Sequence, residues 1–186
     1  EVDLLGLAEA AKLRTKRLHK SSTNLDFGFS LSVPVAAGSK EEGALRTALA
    51  APQEQDADVY FVVKTLTARN QEREVGQGYL NLQTLLRDGR DAASVSLPLQ
   101  GKQGTAGQLV VSLAGVDALR MASGAAPAPA PAGAGGASGR SASMRVDVGS
   151  LTLSAPIKRD IDVADVWVEV DLLGLAEAAK LRTKRL

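Results

Sequence analysis

The chain has 186 residues, with 22 Lys and Arg against 21 Asp and Glu, a formal net charge of +1. That balance argues against a dedicated nucleic-acid binder, which needs surplus cations to displace phosphate counterions. The absence of cysteine excludes disulfides, thiolate metal sites and cysteine nucleophiles. Apolar residues make up 45% and aromatic ones 3%, so a core rests on Val and Leu. No apolar run approaches the ~20 residues that cross a bilayer, and the first residues lack a signal-peptide pattern. The expectation is an intracellular, cytoplasmic protein.

Period-two alternation marks half-buried strands. The first, at 12–18, puts Lys12, Arg14 and Lys16 on one face. At 25–33, Leu25, Phe27, Phe29, Leu31 and Val33 alternate with Asp26, Gly28, Ser30 and Ser32. A short helix is predicted at 41–50, strands at 58–66 and 78–82, and a second helix at 84–87 closed by Asp88-Gly89. Strands follow at 94–99 and 108–114. Residues 122–143 are nearly all Ala, Pro, Gly and Ser and cannot bury enough apolar surface to offset the entropy of ordering. They read as a linker, stiff over the Ala-Pro run. Beyond it, a strand at 145–154 carries Val146, Val148, Leu151 and Leu153, with Gly149 as a bulge. The last strand, at 165–172, sets Val166, Val168 and Val170 against Trp167, Glu169 and Asp171. Eight strands with polar loops predict an all-β fold, an eight-stranded antiparallel β-sandwich with short helices in its loops.

Residues 1–18 and 169–186 both read EVDLLGLAEAAKLRTKRL. Perfect identity points to engineering or to a window on an array of near-identical units. The domain reading is a sandwich lacking its first strand at 1–121, the linker at 122–143, and the first strands of the same or the next unit at 144–186. Only one copy of the duplicated segment fits a given sandwich. Residues 144–168 either fold back as in a circular permutant, begin a following module, or donate strands to another chain.

KLRTKRLHKSSTNLDFGFSLSV at 12–33 and VGQGYLNL at 75–82 resemble strands of C2 domains. The longer stretch at 75–113 resembles the C2 domains of the retinitis pigmentosa GTPase regulator-interacting protein family, through Gly76-x-x-Tyr79-Leu80-x-Leu82, Gly89-Arg90-Asp91 and Gln108-Leu109-x-Val111-Ser112-Leu113. The resemblance implies a C2-like scaffold module at the cilium, axoneme or basal body. Calcium-binding relatives of that fold carry several Asp residues just before the Val-Gly step. Here those positions fall near Thr65, Thr67 and Arg73, and Lys64, Arg69 and Arg73 offset Glu72 and Glu74. A calcium site wants six to eight oxygens, several of them carboxylate, so none is expected, and no cofactor is expected elsewhere.

The basic stripe of Lys12, Arg14 and Lys16, with Arg17 and Lys20 beside it, is the candidate site. It suits anionic lipid headgroups or an acidic partner, or else serves as a solvated face that discourages edge pairing. Asp160, Asp162 and Asp165 read as a solvated loop beside Lys158 and Arg159. His19 reads as an ordinary exposed histidine, and Trp167 and Tyr79 as packing residues. No nucleophile elbow, P-loop or zinc-protease motif is present. The functional expectation is a non-catalytic structural or protein-interaction module, one unit of a tandem array, whose partners are other proteins and copies of itself. Calcium-independent lipid binding through the basic strand is the alternative.

Overall fold

The computed structural model describes residues 3–4, 8–9, 14–19, 24–67, 69, 71–102, 104–124, 141–154 and 165–172. Its strands are β1 (Asp3–Leu4), β2 (Ala8–Glu9), β3 (Leu18–His19), β4 (Asn24–Ala36), β5 (Asp58–Leu66), β6 (Glu72–Asn81), β7 (Ala92–Gly101), β8 (Gly104–Ala114), β9 (Ser141–Leu153) and β10 (Asp165–Leu172). The helices are α1 (Lys40–Leu49), α2 (Leu82–Asp88) and α3 (Val116–Ser123), with a 3₁₀ turn at Glu54–Ala57. The linker residues 125–140, the loop carrying Asp160 and Asp162, and residues 173–186 lie outside the described residues.

The predicted alternation becomes real burial. Leu25, Phe27, Val33 and Val35 of β4 face inward, as do Val59, Phe61 and Val63 of β5. Val146, Val148, Leu151 and Leu153 of β9, and Val166, Val168 and Val170 of β10, complete that interior. Gly149 does mark a bulge, because two residues of β9 between Val148 and Leu151 oppose the single Val110 of β8. Most boundaries shift by a few residues. Among the described residues the strand expected at 12–18 is reduced to Leu18–His19. The linker expected at 122–143 is entered by α3 up to Ser123 and by β9 from Ser141. The strand expected at 78–82 begins at Glu72, and Leu82 instead opens α2, because the Asn81 side chain accepts from the Thr84 amide at 2.9 Å. The helix α3 was not expected. It lacks a side-chain cap of its own, and Asp91 supplies one from across the fold, its Oδ1 accepting from the amides of Gly115 and Val116 at 2.8 and 3.0 Å. That long-range cap satisfies donors that a helix start otherwise leaves unpaired.

One antiparallel sheet runs in the order β3-β10-β5-β6-β7-β8-β9-β4, while β1 and β2 form a separate two-stranded ladder. The all-β class holds, and a single continuous ladder passes through seven long strands and the two-residue β3. Covalent geometry shows why this sheet is nearly closed. Strands β3 and β4 stand at opposite edges, yet five peptide steps from His19 to Asn24 span at most about 18 Å. Eight strands laid flat, at ~4.8 Å spacing, would separate those edges by about 34 Å. The sheet must curl until its edges approach, and the Val/Leu faces then pack on one another inside.

The sharpest break in the ladder is between β6 and β7, joined by the single pair Gln77↔Gln100. Backbones come very close there. A Cβ on Gly101 would lie 2.6 Å from the Val75 carbonyl oxygen, and one on Gly76 would lie 2.9 Å from the Ala106 Cβ. The helices cover one end. α1 is capped by Ser39, whose Oγ accepts from the Glu42 amide, and Glu42 reaches back to the Gly38 amide at 2.7 Å. Leu45 and Ala48 of α1, with Ala118, Leu119 and Ala122 of α3, add to the core. Because the seam leaves no room for a methyl group beside a backbone oxygen, Gly101→Ala should cost about 1–3 kcal/mol in urea unfolding. An unchanged midpoint would contradict this close approach.

Candidate functional site

The site is built on β10. Its inward residues, Val166, Val168 and Val170, take the core side, and Trp167 and Glu169 take the outer face. On one flank β5 pairs along the whole strand, from Val166↔Thr65 to Leu172↔Val59. On the other flank lie residues 14–19. Leu18 opposes Val166 and His19 opposes Asp165, while Arg14 bridges Glu169. Three residues of this segment therefore oppose two of β10, which is a bulge.

Thr15 fills the bulge. Its amide donates to the Val168 carbonyl at 3.0 Å, and its Oγ1 accepts from the Val168 amide at 3.0 Å. A side-chain hydroxyl thus stands in for a backbone carbonyl, which is why Thr15 is buried among charged neighbours. The bulge, rather than strict alternation, decides which cations share a face. Both Arg14 and Arg17 lie over the Trp167 ring, with guanidinium carbons 5.6 and 4.6 Å from its centroid. Such stacking is attractive because the ring face carries negative charge. Trp167 is fully buried although it faces away from the main core.

Two carboxylates hold this layer together. Glu169 pairs with both Arg14 and Lys64, and accepts from Trp167 Nε1 at 3.3 Å. Glu72, arriving on β6, lies 3.4 Å from Arg14, 3.8 Å from Lys64 and 3.9 Å from Arg17. Arg14 and Arg17, two of the cations singled out from the sequence, are therefore matched to acidic residues far away in sequence, together with Lys64. Lys16 is exposed. Lys12 and Lys20 lie outside the described residues, as does the His19 side chain.

Burial pushes the Glu169 carboxyl upward, but the Lys64 hydrogen bond and charge, with Trp167 Nε1 and Arg14, outweigh it and hold the group below its ordinary value.

The rest of this outer face is less charged. Tyr79, expected to be a packing residue, is instead 58% exposed. Its ring lies 5.9 Å from that of Tyr60 at a tilt of 48°. Strand alternation gives the reason: Gly76 and Gly78 take the buried side of β6 and leave Gln77 and Tyr79 outside. Two of the three positions where calcium-binding C2 domains carry aspartates, Thr65 and Thr67, have structural duties. The Thr65 hydroxyl is buried and donates to the Asp165 carbonyl at 2.9 Å. Thr67 closes the β5–β6 turn with Gln71 through its amide and its hydroxyl. Among the described residues, no group of three or more His, Asp or Glu is placed to hold a metal ion.

The family profile described as retinitis pigmentosa G-protein regulator interacting C-terminal matches residues 1–124. The match covers more than half of the chain, and the chain belongs to this family, a C2-like one. No curated protein and no solved structure matches it. Membership of an interacting family makes the chain a protein-interaction module.

The depressed carboxyl carries a pH prediction. A free glutamate titrates near 4.3, and a group whose folded value is lower adds stability above that pH and loses it as pH falls through the folded value. Glu169→Gln should cost about 1–2 kcal/mol at neutral pH and flatten the acid limb of a stability-against-pH curve. An unchanged acid limb would mean that Glu169 does not carry this network.

Proposed function

We propose that the chain is a non-catalytic docking module of a ciliary or cytoskeletal scaffold, one unit of a tandem array, and that its protein partner is the regulator for which its family is named. The observation that carries the reading is the family match over residues 1–124. The curled sheet is read as a C2-like sandwich of two four-stranded halves, with the seam at Gln77↔Gln100 between them. No helix among the described residues is long and apolar enough to cross a membrane, and the module is assigned to the cytoplasmic side, at the cilium, axoneme or basal body.

The docking face is the outer surface of β5 and β6. Exposed Tyr79 and half-buried Tyr60 present an aromatic pair there, bordered by the ion pairs of Lys64, Glu72 and Glu169. Aromatic anchors with a charged rim are what protein interfaces use most. The proposed absence of catalysis and of metal or other cofactors fits a face with this composition. Calcium-independent contact with anionic lipid through the basic strand is the second reading, favoured by exposed Lys16 and by the three cations set against two carboxylates.

Titration calorimetry against the regulator separates the readings. Tyr79→Ala should weaken binding about tenfold or more, with the unfolding midpoint unchanged. Equal affinity would remove Tyr79 from the docking face, and no binding by the unmodified chain would overturn the partner. Sedimentation with phosphatidylserine vesicles, lost in Lys12→Glu/Arg14→Glu/Lys16→Glu, would favour the lipid reading instead.

A further inference from the structure

The two edges of the sheet are finished differently. Along the β3 edge stand Arg14, Lys16 and Arg17, and charge on an edge discourages pairing with another chain. The other edge is β4, which among the described residues pairs with β9 alone. Residues 27–36 of that strand, FGFSLSVPVA, carry no charge. Burial also changes along it. Leu25, Phe27, Val33 and Val35 are buried, whereas Phe29 and Leu31 between them are only half-buried.

Two features bracket this uncharged stretch. At Gly28, with φ at +51°, the register against β9 shifts between Asp26 and Phe29, a bulge that bends the strand. Pro34 has no amide to donate, and an edge strand accommodates proline with its nitrogen on the open side. Ser30 and Ser32 stand at even spacing from Pro34, so their amides and carbonyls face that same open side. Phe29–Val33 is thus a flat, uncharged edge segment with backbone groups available for pairing.

Its sequence is symmetric about Leu31: Phe-Ser-Leu-Ser-Val reads apolar, serine, leucine, serine, apolar in either direction. A two-fold contact requires a surface that complements itself, whereas an unrelated extended segment would need no such symmetry. We infer that Phe29–Val33 pairs antiparallel with the same segment of a second copy of this chain, on a two-fold axis through Leu31. Ser30 then lies opposite Ser32 of the second copy, and each such pair exchanges both of its backbone hydrogen bonds. On the inner face Phe29 meets Val33, an aromatic against a β-branched side chain, which is a favourable cross-strand pair. Leu31 meets its own counterpart. Gly28 falls opposite Pro34 and ends the pairing on both sides, because the proline offers no amide. No like charges oppose one another, since Asp26, the nearest charged residue of β4, lies beyond the bulge. In sheet order β7, β8 and β9 separate this edge from the β5–β6 docking face.

The test turns on the order of charges. Both serines are exposed on the outer face of β4, so substitutions there should leave the unfolding midpoint of the single chain unchanged. Sedimentation equilibrium of the full chain at rising concentration should show a monomer passing to a dimer. Ser30→Lys/Ser32→Lys sets like charges opposite one another twice and should weaken the dimer about tenfold. Ser30→Lys/Ser32→Glu sets unlike charges opposite one another and should associate at least as tightly as the unaltered chain. A monomer at every concentration would overturn the proposal, as would a dimer indifferent to the order of charges. Should a charged variant fail to fold, oxidation decides instead. The chain has no cysteine, and Leu31→Cys sets a thiol opposite its counterpart within disulfide range. Linked pairs should then form about tenfold faster, or more, than with Gln108→Cys, exposed on β8. Equal rates would overturn the proposal. Self-association is read without the regulator, so its failure leaves the docking assignment standing.

Discussion

The structure depends on β10 being paired on both flanks. Buried backbone amides and carbonyls must find partners, and leaving one unsatisfied costs about 1–3 kcal/mol. Along one flank β5 supplies partners from Val166 to Leu172. Along the other, the Thr15 amide and hydroxyl satisfy Val168. With both flanks paired, Val166, Val168 and Val170 can be buried without stranding polar groups beside them. Thr15 and Val168 are 153 residues apart in sequence, so this pairing ties distant parts of the chain into one sheet.

The same register arranges the charges. Because the bulge at Thr15 brings Arg14 and Arg17 to one side, both reach Trp167, and both also reach Glu72. Individual ion pairs at partly exposed positions contribute little. Here three cations and two carboxylates share partners around a buried ring, so the layer works as a unit and removal of one member leaves others unmatched. The consequence for recognition is that charges which a strand-by-strand reading treats as a basic stripe are largely engaged within the fold. The most prominent large apolar side chain on this face is then Tyr79.

Much of the fold was legible in the sequence because period-two alternation is a local signal. The strands at 58–66 and 165–172 were placed to the residue, as Asp58–Leu66 and Asp165–Leu172, and Gly149 was read correctly as a bulge. What was not legible is what depends on distant partners. α3 lacks a local cap, and Asp91 reaches it only once the fold has formed. Alternation alone placed Arg14 with Lys16; nothing local in KLRTKRL reveals that Thr15 replaces a backbone acceptor and shifts the register. Glu72 and Glu169, missed as members of the site, are ordinary exposed-looking acids until β5, β6 and β10 bring them to the arginines. Tyr79 was misread because an aromatic residue on a strand usually packs, and the burial of Gly78 on the opposite side gave the only clue. The all-β class followed from the need to bury the apolar faces of alternating strands against one another, a need that the curled ladder meets.

The central claim is that residues 14–17 lie over β10 and enclose its outer face. Trp167 is the only tryptophan in the chain, so its fluorescence reports that enclosure directly. Acrylamide quenching of the intact protein, compared with Arg14→Ala/Arg17→Ala, is the most direct measurement. The account predicts a blue-shifted, poorly quenched emission that moves red and becomes quenchable in the double variant while the fold persists. A tryptophan as accessible as in the unfolded chain, or one indifferent to the loss of both arginines, would contradict it.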